Sequence, residues 1–314
     1  MENFEYKPII HILMATFQGG TYLKEQLESI ESQSYINWRL IISDDGSTDD
    51  TLPIISEFAK KVDQPVIILG GPGKGSTRNF FHLINSIEFL TKNELIAFSD
   101  QDDVWLPKKL ESAVNYFKLI GKSAIPHLYC GRTRIVNASL NPIKQSDMPE
   151  RNLEFGNALL QNVASGNTMV FNSVLLEILK KIPVDYPIWH DWTAYQIATG
   201  CGGLVYYDCN PQVLYRQHNT NVIGASESIG SKLKKLIRIL DGSCKEKMTL
   251  VEKSMTSVED HLAPKSIRIL KEFKAMRHEP NSFKRLLIAK RNGLYRQKHV
   301  DQFVFLLSLF FNRI

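Results

Sequence analysis

The chain has 314 residues, of which 43% are hydrophobic, and it carries a formal net charge of +5. No stretch approaches the ~20 apolar residues of a membrane-spanning helix, and the four cysteines show no CxxC spacing. These features disfavour a transmembrane protein, a cysteine metal cluster and a disulfide scaffold. The opening residues, MENFEYKPII, have no basic head before an apolar core, which predicts no export signal and a cytoplasmic location.

The charge is unevenly distributed along the chain. Residues 230–314 contain 19 Lys and Arg against 8 Asp and Glu, a balance of +11, whereas residues 1–229 contain 19 against 25, a balance of −6. Basic helices can contact nucleic acid or an anionic membrane, or they can form an ordinary solvated surface. The contrast predicts an N-terminal domain over 1–229 and a basic, mostly helical region over 230–314.

The first hundred residues alternate between apolar strands and amphipathic helices. The first helix, within TYLKEQLESIESQ, has Leu23, Leu27 and Ile30 on one face. Alternating strands and helices predict βαβ units, and therefore an α/β fold with a mostly parallel central sheet flanked by helices. Four strands are predicted, at 8–17, 38–43, 65–70 and 94–99. Beyond residue 120 the pattern loosens, and from 231 onwards it predicts helices.

Polar residues follow three of the predicted strands. Thr16 ends the first strand, Asp44 and Asp45 follow the second, and SDQDD (99–103) follows the fourth. The carboxyl ends of parallel strands share one edge of the sheet, where ligands bind in such folds. Carboxylates at that edge suit a hard divalent cation that shares phosphate oxygens, although each acidic cluster alone also fits a solvated loop or a turn.

Four segments point to one enzyme family because they occur in the expected order. MATFQGGTYLKEQLESI, ISDDGSTDDT, FSDQDDVWLPKKL and YRQHNTNVIG resemble the inverting family 2 glycosyltransferases with the GT-A fold. SDQDDVW and RQHN are most similar to the bacterial rhamnosyltransferase branch. The resemblance covers roughly residues 8–225 and implies a Rossmann-like GT-A catalytic domain over 1–229 with a C-terminal helical extension.

The resemblance assigns the acidic loop to metal and diphosphate. In the D-x-D motif Asp100-Gln101-Asp102, Asp102 would ligate Mn²⁺ or Mg²⁺ and Asp100 would reach the ribose or a metal-bound water. The ion would neutralise charge on the departing diphosphate. Asp103 would support this site or cap the next helix. His218 would be a further metal ligand or diphosphate contact, with Arg216 in the same loop.

The resemblance also assigns residues to the donor nucleotide. Asp44 and Asp45 resemble the pair that contacts the base, where a carboxylate accepts a hydrogen bond from the imide N–H of uracil or thymine. A turn-and-cap role is the alternative for either residue. Thr16 would line the base or ribose pocket.

The glycine-rich segment GPGKGSTRNF (71–80) would bring Lys74 and Arg78 near phosphate, or would be a flexible turn. Trp105 would stack on a sugar ring or pack in the core.

The catalytic base is expected in PIWHDWTAYQI (187–197), which resembles the family segment where an acidic residue heads a helix beneath the acceptor. Asp191 would take the acceptor proton, and His190 would tune it or act in its place; a helix N-cap is the other interpretation of Asp191. In the family that this segment resembles, bulky aromatics usually follow the HDW triplet. Thr193 and Ala194 depart from that pattern, which leaves the acceptor preference open. Gly166 in VASGNTMVFN is expected on the acceptor side.

The resemblance therefore implies a metal-dependent inverting glycosyltransferase that moves L-rhamnose from dTDP-L-rhamnose onto a lipid-linked or growing bacterial surface polysaccharide. The alternatives are a UDP-hexose-using glycosyltransferase of the same fold, a nucleotidyltransferase, and a non-catalytic nucleotide-sugar binding protein. The acidic edge argues against nucleic acid.

Basic segments such as KLKKLIRIL (232–240), together with the apolar FVFLLSLFF (303–311), predict peripheral attachment to the inner face of the plasma membrane. The alternative is that these helices pack on the catalytic domain or on a second subunit in a homodimer.

Overall fold

The computed structural model describes residues 6–88, 91, 93–121, 123–218 and 243–314. Strands and helices alternate through the first hundred residues, as predicted from the hydrophobic pattern. They are β1 Ile10–Thr16, α1 Leu23–Glu31, β2 Trp38–Asp44, α2 Thr51–Lys61, β3 Val66–Gly70, α3 Ser76–Ser86 and β4 Leu95–Ser99. The segment KLKKLIRIL and the predicted domain boundary at 229 lie outside the described residues.

The next elements complete the sheet, and four α-helices are described from residue 243 onwards. The middle of the chain contains β5 Val104–Trp105, α4 Lys109–Ile120, β6 His127–Val136, β7 Pro142–Gln145, α5 Phe155–Ala158, β8 Val170–Asn172, α6 Ser173–Leu179, α7 His190–Gly200 and β9 Leu204–Arg216. The C-terminal helices are α8 Ser243–Thr256, α9 Pro264–His278, α10 Ser282–Arg291 and α11 His299–Phe310.

The strands form one mixed sheet in the order β3-β2-β1-β4-β8-β6-β9-β5, with β7 paired to β6. The strands β1, β2, β3 and β4 are mutually parallel, as expected of the predicted mostly parallel sheet, whereas β8 runs antiparallel to β4 and β6. Thr16 pairs in register with Asp44, and Met14 with Ser99. The segments that follow β1, β2 and β4 therefore start from the same edge of the sheet.

Two apolar layers cover the two faces of this sheet, because successive side chains of a strand point in opposite directions. In β1, Ile12 and Met14 join the layer built with α1, α2 and α4, whereas Leu13 joins the layer of α3, α6 and α7. Leu27 of α1 is buried in the first layer, as its helical spacing predicts. This arrangement explains why the central strands read as continuous apolar runs.

The C-terminal helices belong to the second apolar layer. Met255 of α8, Phe273 of α9 and Leu309 of α11 are fully buried in the same cluster as Tyr195 of α7. Among the described residues, none of the helices combines the length and the apolar character that a membrane crossing requires.

Candidate active site

The predicted convergence of polar residues at the sheet edge is present in the structure. Thr16 at the end of β1 donates its hydroxyl hydrogen to Asp44 Oδ1 at 2.9 Å. Gln101 pairs with the backbone of Phe17 twice, because its Oε1 accepts from the Phe17 N–H and its Nε2 donates to the Phe17 carbonyl, both at 2.9 Å. These bonds tie the loop after β4 to the end of β1.

Asp44 caps the turn that follows β2. Its Oδ2 accepts from the backbone N–H groups of Gly46 (3.2 Å) and Ser47 (2.8 Å), and its Oδ1 accepts from the Ser47 hydroxyl at 2.6 Å. This is the turn-capping role named above as the alternative for Asp44. A base contact by Asp44 stays a prediction.

Asp45 organises the glycine-rich loop before α3. Its two carboxylate oxygens accept from the backbone N–H groups of Gly73 (2.6 Å) and Gly75 (2.7 Å). Lys74 is exposed between these two glycines. Arg78, in the first turn of α3, forms an exposed ion pair with Asp185 at 2.6 Å between Nη2 and Oδ1. The loop thus starts beside Asp45 and carries Lys74, and Arg78 follows in α3. Phosphate contacts by Lys74 and Arg78 stay a prediction.

Asp102 and His218 form the core of the candidate metal site. His218 Nε2 lies 2.8 Å from Asp102 Oδ2, and both side chains are mostly buried. The His218 ring also packs on Tyr22 of the α1 N-terminus, with ring centroids 4.8 Å apart. A cavity of about 50 Å³ opens beside this pair; it is lined by Gln18, Gly19, Thr21, Tyr22, Gln101, Asp102 and His218.

The carboxylates of this loop are buried close to one another, where like charges repel. Burial raises the pKa of the Asp100 carboxyl to about 7, and the charges of Asp102 and Asp191 add to the rise. The pKa of Asp103 is raised well above its ordinary value by burial and then by Asp100 and Asp102, although Asn167 Nδ2 donates to it at 2.5 Å. A cation would relieve this repulsion.

The residues present fit a divalent ion that also binds a ligand oxygen. A carboxylate and an imidazole side by side, with a second carboxylate next in the loop, supply the O and N donors that Mn²⁺ accepts. Within the described ranges, His, Cys, Asp and Glu side chains do not gather in groups of three that could hold an ion. Asp102 and His218 would therefore need a substrate phosphate to complete the coordination, as is common for Mg²⁺ and Mn²⁺ sites.

Arg216, at the end of β9, holds the acidic loop from below. Its guanidinium is buried, with Nε donating to the Asp102 carbonyl at 2.9 Å, Nη1 donating to the Ala138 carbonyl at 2.5 Å and Nη2 bonded to the Glu25 carboxylate. Its backbone N–H also donates to Asp103 Oδ1 at 3.2 Å. These contacts make Arg216 a support of the loop, and the phosphate contact suggested by its place in the motif stays a prediction.

Trp105 is a core residue beneath the same loop. It is almost fully buried, its backbone N–H donates to the Ser29 hydroxyl at 3.0 Å, and the ammonium of Lys109 lies 3.5 Å from its ring centroid. Of the two roles weighed for Trp105, packing is therefore the one that the structure supports. Burial lowers the pKa of Lys109 to about 7, against the opposing effect of the Asp103 charge.

Asp191, in the first turn of α7, is held in one orientation by three hydrogen-bond donors. Its Oδ2 accepts from Asn162 Nδ2 (2.9 Å) and from the Gly166 N–H (3.1 Å), and its Oδ1 accepts from the Trp192 N–H (2.7 Å). Burial outweighs these bonds and raises the pKa of Asp191 to about 6.

Asp191 is not the residue that caps α7, because Trp189 takes the N-cap position. The partly exposed Asp191 carboxyl is close enough to Asp100 for the two charges to interact.

His190 is a neutral packing neighbour of this carboxyl. Its ring stacks on Phe80 with centroids 3.6 Å apart and meets the edge of Phe98 at 4.7 Å. Burial lowers the pKa of His190 to about 3. A protonated His190 is therefore disfavoured, and its surroundings suit a residue that positions Asp191 better than one that replaces it.

Sequence reasoning missed two contributors to the site. Asn162 orients Asp191 from the loop after α5, and Glu25 pairs with Arg216 from α1. Asn162 lies directly before VASGNTMVFN, so its position next to that segment was the only local feature that could have indicated its role. Glu25 stands 191 positions from its partner, and no local pattern connects the two.

The sequence matches known glycosyltransferases over most of its length. The model of glycosyl transferase family 2 matches residues 11–182. The protein named dTDP-rhamnosyl transferase RfbG of Shigella flexneri is 31% identical over 236 residues, which cover 71% of this chain and 78% of that protein. An Escherichia coli protein named UDP-Glc:alpha-D-GlcNAc-diphosphoundecaprenol beta-1,3-glucosyltransferase WfgD is 26% identical over 183 residues, or 58% of this chain and 65% of that protein.

Solved structures agree with the fold. The mannosyltransferase PcManGT from Pyrobaculum calidifontis, in complex with GDP-Man and Mn²⁺, has a TM-score of 0.56 at 15% identity and covers 98% of this chain and 86% of its own. Residues 1–349 of TarS from S. aureus, in complex with UDP-GlcNAc, have a TM-score of 0.53 at 14% identity over 95% of this chain and 90% of that one. The chain therefore belongs to glycosyl transferase family 2 and is a glycosyltransferase with the GT-A fold.

Proposed function

We propose that the protein is a metal-dependent inverting glycosyltransferase that moves L-rhamnose from dTDP-L-rhamnose to a hydroxyl of a lipid-linked or growing bacterial surface polysaccharide. The observation that carries this proposal is a partly exposed carboxyl, Asp191, with a raised pKa and fixed orientation, facing a loop of crowded carboxylates. The relative named dTDP-rhamnosyl transferase supports the choice of donor.

Asp102 and His218 are the residues proposed to hold Mn²⁺ or Mg²⁺, with Asp100 on the ribose or on a metal-bound water. When bound, the ion would supply Lewis-acid stabilisation of the diphosphate leaving group. Arg216 and Gln101 keep the loop in place from both sides through their bonds to Asp102 and Phe17.

The donor nucleotide is proposed to bind along the ends of β1 and β2. Thr16, Asp44 and Asp45 would line the base and ribose pocket. The Asp45 bonds to Gly73 and Gly75 hold the loop that carries Lys74, so that its ammonium can meet the diphosphate.

Asp191 is the proposed general base. Its carboxylate takes the proton of the acceptor hydroxyl while that oxygen attacks the anomeric carbon from the face opposite the diphosphate. The new carbon–oxygen bond forms as the bond to the diphosphate breaks, which inverts the anomeric configuration. Asn162 and Gly166 donate hydrogen bonds to Asp191 Oδ2 and so fix the orientation of the carboxylate. A general base of this kind raises the reaction rate ~10²- to 10⁴-fold.

A UDP-hexose donor is the second candidate. It is favoured by the relative named a UDP-Glc-dependent glucosyltransferase, which matches 58% of this chain. A carboxylate that accepts from the imide N–H serves uracil and thymine alike, so the base-side residues do not discriminate between the two donors.

The test measures thermal stabilisation of the full chain by dTDP and by UDP, with and without Mn²⁺. Ligands of the native state raise the melting temperature with concentration. We expect a Mn²⁺-dependent shift with dTDP, lost in Asp102→Asn and kept in the matched control Asp63→Asn, whose side chain is exposed after α2. A preference for UDP would replace the donor, and the absence of a shift with either nucleotide at millimolar concentration would overturn the proposal.

Turnover is then measured as release of dTDP from dTDP-L-rhamnose in the presence of a lipid-linked acceptor. We expect release with the wild-type chain and with Asp63→Asn, and ~10²-fold or greater loss in Asp191→Asn. Nucleotide binding without turnover, indifferent to Asp191→Asn, would instead identify a binding protein.

A further inference from the structure

Helix α11 is apolar on both of its sides. Phe305 and Leu309 are buried against the second apolar layer, whereas Val300 and Phe303 on the opposite side are 72% and 62% exposed. Phe310 continues this exposed side two turns further along. A helix with apolar residues on two opposite sides needs a second apolar surface, and the folded chain covers only one side of this one.

Helix α10 extends the same apolar surface. Phe283 is 75% exposed and Leu287 follows it at the i+4 position, also exposed. The Phe283 and Phe310 rings are 6.1 Å apart, so the exposed sides of α10 and α11 are continuous. We define the aromatic face by these residues, which are Phe283, Leu287, Val300, Phe303, Phe310 and Phe311.

The aromatic face is held in a fixed arrangement from beneath. Arg285 is buried, and its guanidinium donates to the carbonyls of Leu309 (2.7 Å) and Phe310 (3.0 Å) at the end of α11 and of Glu279 (2.5 Å) before α10. The Ser282 hydroxyl also donates to the Phe310 carbonyl at 2.9 Å. A buried arginine that joins two helix ends keeps their phenylalanines exposed together.

The surroundings of the aromatic face are strongly basic. Residues 282–314 contain seven Lys and Arg and one Asp; of these cations, Arg285 is buried and Lys298 is paired with Asp147. Lys290 and Arg291 are exposed and follow Leu287 at the i+3 and i+4 positions, on the same side of α10. Apolar side chains flanked by cations complement an anionic surface that has an apolar interior.

We propose that the aromatic face docks on the surface of an anionic phospholipid bilayer, with α10 and α11 lying in the interface. A second copy of the chain fits less well, because a symmetric dimer would bring the exposed cations Lys290 and Arg291 of two chains towards each other. The 12 residues of α11 extend about 18 Å, short of the ~30 Å of the hydrocarbon core, so an interfacial position is the one its length allows.

This inference deepens the proposed function, on which its biological purpose rests, because a docked enzyme would meet a lipid-linked acceptor at the membrane. The docking itself follows from the face alone.

The experiment measures co-sedimentation of the full chain with sucrose-loaded vesicles of phosphatidylcholine alone and of phosphatidylcholine with 30% phosphatidylglycerol. We expect at least tenfold tighter binding to the anionic vesicles, weakened by salt. The double variant Phe283→Ser/Phe303→Ser should lower binding at least tenfold, and Lys290→Glu/Arg291→Glu should remove the preference for anionic lipid.

The matched control is Ile36→Ser/Leu119→Ser, which removes two exposed apolar side chains elsewhere on the surface and should bind like the wild-type chain. All four substituted apolar residues are mostly exposed, so the variants should unfold at the wild-type temperature. Equal loss of binding in the control pair, or no binding of the wild-type chain to anionic vesicles at millimolar lipid, would overturn the proposal.

Light scattering of the same protein variants without vesicles measures their molecular mass and so tests whether a second copy of the chain covers the aromatic face. A concentration-dependent dimer that is lost in Phe283→Ser/Phe303→Ser, without vesicle binding by the wild-type chain, would make the face a dimer interface and overturn the proposal. The nucleotide-dependent thermal shift is measured in parallel without lipid. It should persist in the phenylalanine variants, so that docking and donor binding can fail separately.

Discussion

Asp191 has the environment of a group that must gain and lose a proton near neutral pH. It keeps three hydrogen-bond donors that favour the carboxylate, yet burial raises its pKa to about 6. The pKa of Asp100 is raised to about 7 by the same cause and by its acidic neighbours, which include Asp191. Raised values of this kind are typical of functional sites, where a base works best near ambient pH.

The pH dependence of turnover follows from the Asp191 pKa. We expect kcat/KM to fall about tenfold per unit below pH 6, as the carboxyl becomes protonated, and to level off above it. Asp191→Asn should lower the rate ~10²- to 10⁴-fold, and the remaining rate should no longer fall at acid pH. A rate that stays constant down to pH 5 in the wild-type enzyme would contradict the role of Asp191.

Stability should respond to Asp191 in the opposite sense. A carboxyl whose folded pKa is raised favours folding most below its unfolded value of about 4, and this contribution is lost as pH rises through about 6. At pH 7.5 the Asp191 carboxyl no longer makes this contribution to folding. We therefore expect Asp191→Asn to keep the free energy of unfolding within about 1 kcal/mol of wild type, as measured by urea titration. A large loss of stability would mean that the rate loss reports unfolding.

Arg216 should be the most destabilising of the site residues to replace. Arg216→Gln would leave the carbonyls of Asp102 and Ala138 without their buried donors, at a cost of about 3 kcal/mol by urea unfolding. Glu25→Gln is the matched control, because Glu25 is 51% exposed and water can replace the pairing, so we expect less than about 1 kcal/mol. Equal losses in both variants would show that the ion pair alone is what matters.

At the scale of elements, the site depends on how closely the loop at 162–168 approaches the first turn of α7. A Cβ atom on Gly166 would lie 3.0 Å from His190 Nε2 and 3.1 Å from Asp191 Cβ, tighter than ordinary contacts. This close approach explains why a glycine stands there. The place of this segment on the acceptor side stays a prediction. The loop also supplies the two groups that bind Asp191 Oδ2.

Gly166→Ala should therefore push the start of α7 outwards by a few tenths of an ångström. We expect kcat to fall about tenfold and stability to fall by ~1–2 kcal/mol, because misplacing a catalytic group lowers the rate steeply. The control is Gly70→Ala at the end of β3, where a Cβ would meet no atom within 4 Å. Full activity in Gly166→Ala would show that the helix can move without cost.

At the scale of the whole molecule, the C-terminal helices and the catalytic sheet share one apolar layer. Met255, Phe273 and Leu309 are buried in the cluster that also contains Tyr195 of α7 and Phe98 of β4. A chain that ends at residue 242 would expose this layer to water. The division at residue 229 predicted from the charge contrast stays a prediction, but the shared core argues that the two parts stabilise each other.

We therefore expect the full chain to unfold in one cooperative transition and the 1–242 fragment to lose that transition or to aggregate. Circular dichroism and tryptophan fluorescence during heating measure both. A fragment that unfolds cooperatively near the temperature of the full chain would show that residues 1–242 fold independently.

The sequence by itself determined the parallel half of the sheet and the place of the site. The strands are buried apolar runs separated by amphipathic helices, and this local pattern depends only on residues close together in the chain. The proximity of Thr16, Asp44 and the loop at 100–103 could be predicted from the sequence, because the carboxyl ends of parallel strands meet at one edge of the sheet. The motif resemblance then indicated the family.

The tertiary structure alone decided which partner each side chain meets. The pairing of Arg216 with Glu25, the packing of Trp105 in the core, the stacking of His190 on Phe80 and the hold of Asn162 on Asp191 join residues that are distant along the chain. The apolar segment FVFLLSLFF likewise does not indicate which side of its helix the rest of the chain covers. Local patterns encode which residues avoid water, but long-range packing determines which of them the fold covers.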